Sequence, residues 1–166
     1  MRVHVESRLA CDAQTAWSHV KTSAMLVAVS RPMVDLRPVR GEEFPKTWQQ
    51  GMTIRCRSFL FGFLPQGTRE LFFERVDDAA LEIQTREHDA LIRRWDHLLR
   101  VRPVSEKAHG HSQKANEAPH CHYSDTVEIE AGWLTLGVWL FAVCFYRHRH
   151  RRWKKMAEAF FMGENL

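Results

Sequence analysis

Hydrophobic and polar residues alternate along the first residues of the chain and predict a half-buried strand at 2–9. The period then becomes helical, with Asp12 placed to cap a helix. The apolar positions of that helix recur three and four residues apart: Ala13, Ala16, Trp17 and Val20. A second short helix around Met25 and Val29 must stop by Arg31, because Pro32 disfavours helical geometry in the residue before it.

Beyond Pro32 the pattern changes to a two-residue period and predicts six further strands. They are expected at 33–40, 52–61, 68–76, 80–87, 92–102 and 121–131. Pro65, Gln66 and Gly67 are predicted to form the turn into the strand that begins at 68. The polar, aperiodic stretch 104–120 is predicted to be a long mobile hairpin loop.

After Gly132 the pattern is helical to the end of the chain, and it predicts a helix over 133–161 of about 43 Å at 1.5 Å per residue. The inward-facing positions recur every three or four residues: Trp139, Val143, Tyr146, His150, Trp153, Ala157 and Phe160. Strands in antiparallel succession with helices on one side predict a single α+β domain over 1–166. The sheet is expected to curl around the terminal helix.

Composition and charge narrow the functional classes. A chain of 166 residues with 45% apolar residues has enough material for a hydrophobic core. The net charge is +4, but six of the 24 Lys and Arg residues lie between Arg147 and Lys155, a segment without acidic residues. Such a local patch argues against a nucleic-acid partner. It predicts a solvated helix face, or alternatively a peripheral contact of Arg147 to Lys155 with an anionic membrane.

Other sequence features exclude several kinds of chemistry. The four cysteines show no CxxC spacing and no signal peptide is visible, which predicts free thiols and a cytoplasmic location. The chain lacks a GxSxG motif, a P-loop and a dinucleotide fingerprint, so no cofactor is expected. Zinc-type donors occur together without the spacing of a structural site, so no metal is expected either; they are His109, His111, His120, Cys121 and His122.

Several local signatures resemble the START-like (SRPBCC) superfamily, which shares the helix-grip fold and includes polyketide cyclases. The segments that carry this resemblance are Asp12 with Ala16 and Trp17, Phe61 to Pro65, Arg94 to His97, Tyr123 to Asp125, and Arg151 to Trp153. The resemblance implies a seven-stranded antiparallel sheet around the long C-terminal helix, with two short helices after the first strand. It also implies a cavity for a hydrophobic ligand between sheet and helix.

Strand alternation indicates which polar side chains face such a cavity. Five are expected to meet inside: Glu87, Arg93, His97, Tyr123 and Asp125. The expected ligand-binding residues are Glu87, Arg93, Trp95, Trp139 and Phe145. The candidate catalytic residues are His97, Asp125 and Tyr123, because a histidine beside a carboxylate can transfer protons and a tyrosine hydroxyl can hold a carbonyl.

Two functions from different classes agree with this set. The first is a binding protein that encloses a hydrophobic or amphipathic small molecule. The second is an enzyme of the cyclase or dehydratase type that uses His97, Asp125 and Tyr123. The same polar groups would also meet if they only satisfied one another at the rim of the sheet, so the sequence leaves this alternative open.

Overall fold

The computed structural model describes residues 1–104 and 119–161. The strands in this part of the chain are β1 (Arg2–Leu9), β2 (Val34–Pro38), β3 (Thr53–Leu60), β4 (Leu64–Asp77), β5 (Glu82–His88), β6 (Arg94–Pro103) and β7 (Cys121–Glu130). The helices are α1 (Ala13–Val20), α2 (Ser23–Ser30) and α3 (Thr135–Phe161), with a short 3₁₀ turn at Gly132–Leu134. The loop predicted at 104–120 lies outside the described residues between 105 and 118.

The strands form one antiparallel sheet in the order β1-β7-β6-β5-β4-β3-β2. Consecutive strands from β2 to β7 are therefore neighbours, and β1 pairs with β7. The helices α1 and α2 connect the two edge strands β1 and β2. The α+β class and the order of elements predicted from the alternation are confirmed.

One predicted turn is displaced. Pro65, Gln66 and Gly67 lie inside β4, where Gly67 pairs with Ser58 of β3. The turn is formed earlier by Phe61 and Gly62, which adopt positive φ angles of 52° and 81°. A glycine accepts this left-handed conformation without steric cost, so the chain reverses there. The register shift beside Ser58 then accommodates Pro65 within the strand.

The ends of the helices follow from local hydrogen bonds. Asp12 caps α1, since its carboxylate accepts from the backbone N–H of Thr15 at 2.9 Å. The last helix begins at Thr135 and not at 133, because the preceding residues form the 3₁₀ turn. The Thr135 hydroxyl donates to the carbonyl of Gly132 at 2.7 Å and accepts from the N–H of Ala131 at 2.9 Å.

The helix α3 packs against one face of the sheet and contributes to both hydrophobic clusters of the core. Phe145 and Tyr146 pack with residues of β1, β6 and β7, whereas Trp153 and Ala157 pack with residues of α1 and α2. Among the described helices, none combines the length and the apolar character that crossing a membrane requires.

The packing of α3 leaves some residues of the basic segment between Arg147 and Lys155 exposed and buries others. Its solvated face consists of Arg147, Arg151, Lys154 and Lys155. Two neighbouring residues, Arg149 and His150, are instead buried. The residues predicted to face solvent are therefore exposed, and His150 is buried as its inward position predicted, whereas the burial of Arg149 was not predicted. Contact of this segment with an anionic membrane stays a prediction.

Candidate functional site

A cavity of about 340 Å³ lies between the inner face of the sheet and α3. Most of its wall is apolar, with contributions from α2, from strands β2 to β6 and from α3. The polar residues of the wall are few: Ser30, Ser58, Gln66, Arg69, Thr85, Glu87, Asp89, His97 and Arg149. An apolar enclosure with a few polar groups is the usual composition of a small-molecule site.

A buried hydrogen-bond cluster surrounds Asp125 of β7. His97 Nε2 lies 2.7 Å from Asp125 Oδ1, and His150 Nε2 lies 3.1 Å from Oδ2. The Tyr123 hydroxyl is 3.1 Å from both carboxylate oxygens. An ionised carboxylate only accepts hydrogen bonds, so both imidazoles donate through Nε2. The cluster therefore fixes which nitrogen of each histidine carries a proton.

Asp125 is charged within this cluster. Burial by itself would raise the pKa of its carboxyl, but the positive charge of Arg149, followed by the interactions with His97 and His150, holds that pKa well below its usual range. Burial raises the pKa of the Tyr123 hydroxyl, so Tyr123 stays protonated and remains a donor. Asp125 is thus an anion surrounded by donors.

His97 connects the sealed cluster to the cavity. Its imidazole is part of the cavity wall, whereas Asp125 and Tyr123 lie behind it and do not contribute to the wall. No hydrogen bond from a described residue reaches Nδ1 of His97, and the nearest carboxylate oxygen is Glu87 Oε1 at 3.9 Å. A neutral imidazole that donates through Nε2 has its basic lone pair on Nδ1. This nitrogen is the one available to a cavity ligand.

A second polar group lies on the β4 and β5 side of the cavity. The Arg69 guanidinium is 3.5 Å from Glu87 Oε2 and 3.1 Å from Asp89 Oδ2, and it stacks over the ring of Trp95 at 5.0 Å. The other oxygen of Glu87 accepts from the Thr85 hydroxyl at 2.9 Å. These side chains pair one arginine with two carboxylates inside the protein.

The structure brings most of the sequence-predicted residues together. Glu87, Trp95, His97 and Phe145 form part of the cavity wall. Tyr123 and Asp125 lie within hydrogen-bond distance of each other, and Asp125 also reaches His97. Because the Tyr123 hydroxyl is bound to Asp125 and sealed behind the wall, it is not placed to hold a carbonyl in the cavity.

Two predicted residues do not reach the cavity. Arg93 is exposed and precedes β6, whose pairing begins at Arg94, so the two-residue period does not extend back to it. Trp139 is half-buried and donates from Nε1 to the carbonyl of Arg2 at 2.9 Å. It follows the cavity residue Val138 and therefore points about 100° away around the helix, toward the edge strand β1.

Three residues around Asp125 were not predicted as site residues: Ser7, Arg149 and His150. The same holds for Arg69, Thr85 and Asp89 of the second polar group. Ser7 on β1 lies 2.8 Å from Nδ1 of His150 and completes the hydrogen bonding of that ring. Arg149 continues the spacing of Val138, Phe141 and Phe145, which all line the cavity. This spacing of three and four residues could have identified Arg149 as a cavity residue. In the sequence, however, Arg149 was counted with the basic residues around it.

No metal centre is formed in the part of the chain that the structure describes, where no group of three or more His, Cys, Asp or Glu side chains is positioned to hold an ion. Of the zinc-type donors considered from the sequence, His109 and His111 lie outside the described residues.

The sequence matches, over residues 7–157, the family described as Domain of unknown function (DUF8410). The chain belongs to this family. Among curated proteins, none matches the sequence.

The fold is similar to solved structures of low sequence identity. Norcoclaurine synthase from Thalictrum flavum, solved with dopamine and hydroxybenzaldehyde, has 11% identity and a TM-score of 0.64 over 94% of this chain and 85% of that chain. The structure of Ara h 8.0201 has 9% identity and a TM-score of 0.59 over 96% of this chain and 98% of that chain.

A third similar structure is BexL, a di-domain ARO/CYC from the BE-7585A biosynthetic pathway. It has 16% identity and a TM-score of 0.62, and the match covers 95% of this chain. This chain spans 46% of the length of BexL. At such identities the similarity establishes the fold, and the START-like, helix-grip fold expected from the sequence is confirmed.

Proposed function

We propose that the protein binds a hydrophobic or amphipathic small molecule in the cavity between the sheet and α3. The proposal rests on one observation, a partly open cavity of about 340 Å³ with a mostly apolar wall. Cavities of this size suit small organic ligands, and burial of apolar surface supplies the driving force. Norcoclaurine synthase, which has the same fold, was solved with two small aromatic molecules, which supports this use of the fold.

Filling the cavity tests the proposal. Val138 is part of the cavity wall, so Val138→Trp places an indole in the space that a ligand would occupy. We expect the variant to bind the neutral dye Nile red at least about tenfold more weakly than the wild type, a loss of about 1.4 kcal/mol. Titration of dye fluorescence measures both dissociation constants.

Leu140→Trp is the matched control, because Leu140 lies on the same helix but is 54% exposed and outside the cavity wall. This control should bind the dye like the wild type. A wild-type protein without saturable dye binding would refute the proposal, and so would undiminished binding by Val138→Trp.

A second candidate function is a dehydratase or cyclase, and the position of His97 favours it. His97 is part of the cavity wall, Asp125 binds its Nε2 at 2.7 Å, and no described residue forms a hydrogen bond with its Nδ1. This arrangement suits a general base that removes a proton from the carbon next to a substrate carbonyl. In a β-hydroxyketone the resulting electron pair forms the C=C bond, and the hydroxyl group leaves with a proton as water. Asp125 and Tyr123 would act as positioning residues.

A phenyl-substituted β-hydroxyketone tests this function, because its dehydration product absorbs in the near ultraviolet. If His97 is the base, His97→Gln should reduce the protein-catalysed rate by about 100-fold or more. His88→Gln, which changes an exposed histidine of β5, should leave the rate unchanged. A wild-type rate equal to the uncatalysed rate, or full activity in His97→Gln, would count against this function for the tested substrate class.

A further inference from the structure

Arg149 is a buried cation in the cavity wall without a hydrogen-bond acceptor for its Nε–H. The residue is 7% exposed, and Nε has no hydrogen-bond partner among the described residues. The nearest carboxylate oxygen, Oδ2 of Asp125, is 3.8 Å from Nε and thus beyond hydrogen-bond distance. A buried donor left in this state costs free energy, and the cost is larger for a charged group.

Asp125 does not remove this deficit, because its position 3.8 Å from Nε is too distant for a hydrogen bond. Its carboxylate instead receives hydrogen bonds from Tyr123, His97 and His150. The carboxylate therefore lowers the electrostatic cost of the buried guanidinium but does not bind it directly. The guanidinium also interacts with the Tyr123 hydroxyl. Because Arg149 belongs to the cavity wall, an anionic group of a ligand in the cavity would meet a cation that no carboxylate binds directly.

The other arginine of the cavity wall is in a different state. Nε of Arg69 also has no partner, but its terminal nitrogens face the carboxylates of Glu87 and Asp89 at 3.5 and 3.1 Å. Two negative charges thus neutralise Arg69, and they would oppose an anionic ligand there. An anion is therefore expected at Arg149 and not at Arg69.

We propose that Arg149 binds the carboxylate of an amphipathic carboxylic acid whose apolar body fills the cavity. This inference rests on the proposed ligand-binding function and specifies the ligand class. A guanidinium forms charge-assisted hydrogen bonds with a carboxylate, and these bonds are stronger than those to a neutral oxygen. The apolar side chains Val138, Phe141 and Phe145 precede Arg149 along the same face of α3 and would contact the hydrocarbon part.

Competition between two ligands of equal chain length tests the ligand class. Dodecanoate and dodecanol are titrated at about pH 7 against wild-type protein loaded with Nile red, where the carboxylic acid is ionised. We expect dodecanoate to compete at least about tenfold more tightly than dodecanol, because only the carboxylate pairs with Arg149. Equal affinity of the two ligands would overturn the inference and leave the proposed function intact. Absence of dye binding and of competition by either ligand would instead refute the proposed function.

Variants of α3 assign the preference to Arg149. In Arg149→Gln the preference for dodecanoate should disappear, whereas Arg149→Lys, which keeps the charge, should retain part of it. Arg147→Gln removes an exposed cation two residues earlier and should keep the full preference. Circular dichroism checks that each variant is folded, and if Arg149→Gln is not folded, the comparison of Arg149→Lys with Arg147→Gln decides. The assignment would be overturned if Arg149→Gln kept the full preference for dodecanoate while Arg147→Gln lost it.

Discussion

Asp125→Leu is expected to lower the free energy of unfolding by about 3 to 5 kcal/mol, because it leaves a buried cation without its counter-charge. The Asp125 carboxylate is the only described acidic group within 4 Å of the Arg149 guanidinium. The same substitution removes the acceptor of His97, His150 and Tyr123. Several buried donors would lose their partner at once, and each such loss is costly.

Urea denaturation of wild type and variant measures this loss. Glu130→Leu is the matched control, since Glu130 lies on the same strand with an exposed side chain and should change the stability by no more than about 0.5 kcal/mol. An Asp125→Leu variant as stable as this control would show that the cluster contributes little to the folded state.

The pH dependence gives a second measurement of the same group. Because the pKa of Asp125 is lowered in the folded protein, its contribution to stability is present above the ordinary aspartate pKa of 3.8 and is lost as the pH falls toward the folded-state pKa. The wild type should therefore lose stability steeply below that value. Asp125→Leu lacks this contribution and should show a shallower decline over the same interval.

Trp153→Ala is expected to have an effect of similar size on stability, about 3 to 5 kcal/mol, because it opens a cavity in the core. Trp153 is 1% exposed and belongs to the cluster that joins α3 to α1 and α2. Its ring lies 5.8 Å from that of Tyr123 in an edge-to-face arrangement, so its loss would also loosen the support of the Asp125 cluster.

A second tryptophan provides the comparison for Trp153. Trp133 lies in the 3₁₀ turn before α3 and is 91% exposed, so Trp133→Ala should change the free energy of unfolding by no more than about 0.5 kcal/mol. Thermal and urea unfolding of the two variants measure the difference. Equal losses of unfolding free energy in Trp153→Ala and Trp133→Ala would contradict the assignment of Trp153 to the hydrophobic core.

The geometry separates two roles for the polar residues of the site. His97 and Arg149 are part of the cavity wall and are accessible to a ligand, whereas Asp125 is sealed behind them. Asp125 orients His97 by a hydrogen bond, and the charge of Asp125 lowers the free-energy cost of burying Arg149. We therefore expect substitutions of His97 and Arg149 to alter ligand binding or turnover directly, and substitution of Asp125 to lower stability and, through His97, turnover as well.

The sequence could predict that His97 and Asp125 lie near each other, because strand alternation places both on the inner face of the sheet. Both residues lie at inward positions of strands that adjoin in any antiparallel succession. The register then decides which inward residues meet, and it places Leu99 directly opposite Asp125, with His97 one inward position along β6. That diagonal separation is within the reach of an imidazole.

The sequence by itself determined the order of strands and helices, the fold class and the face of the sheet that carries His97 and Asp125. The helical period already placed His150 among the inward positions, whereas only the tertiary structure showed that Arg149 is buried as well. A strand has only two faces, so its period assigns every side chain, whereas the inward arc of a helix depends on how far the sheet curls around it. Adjacent residues of a helix point about 100° apart. Both are buried here because Arg149 lies beside the cavity and His150 lies against Ser7 of β1.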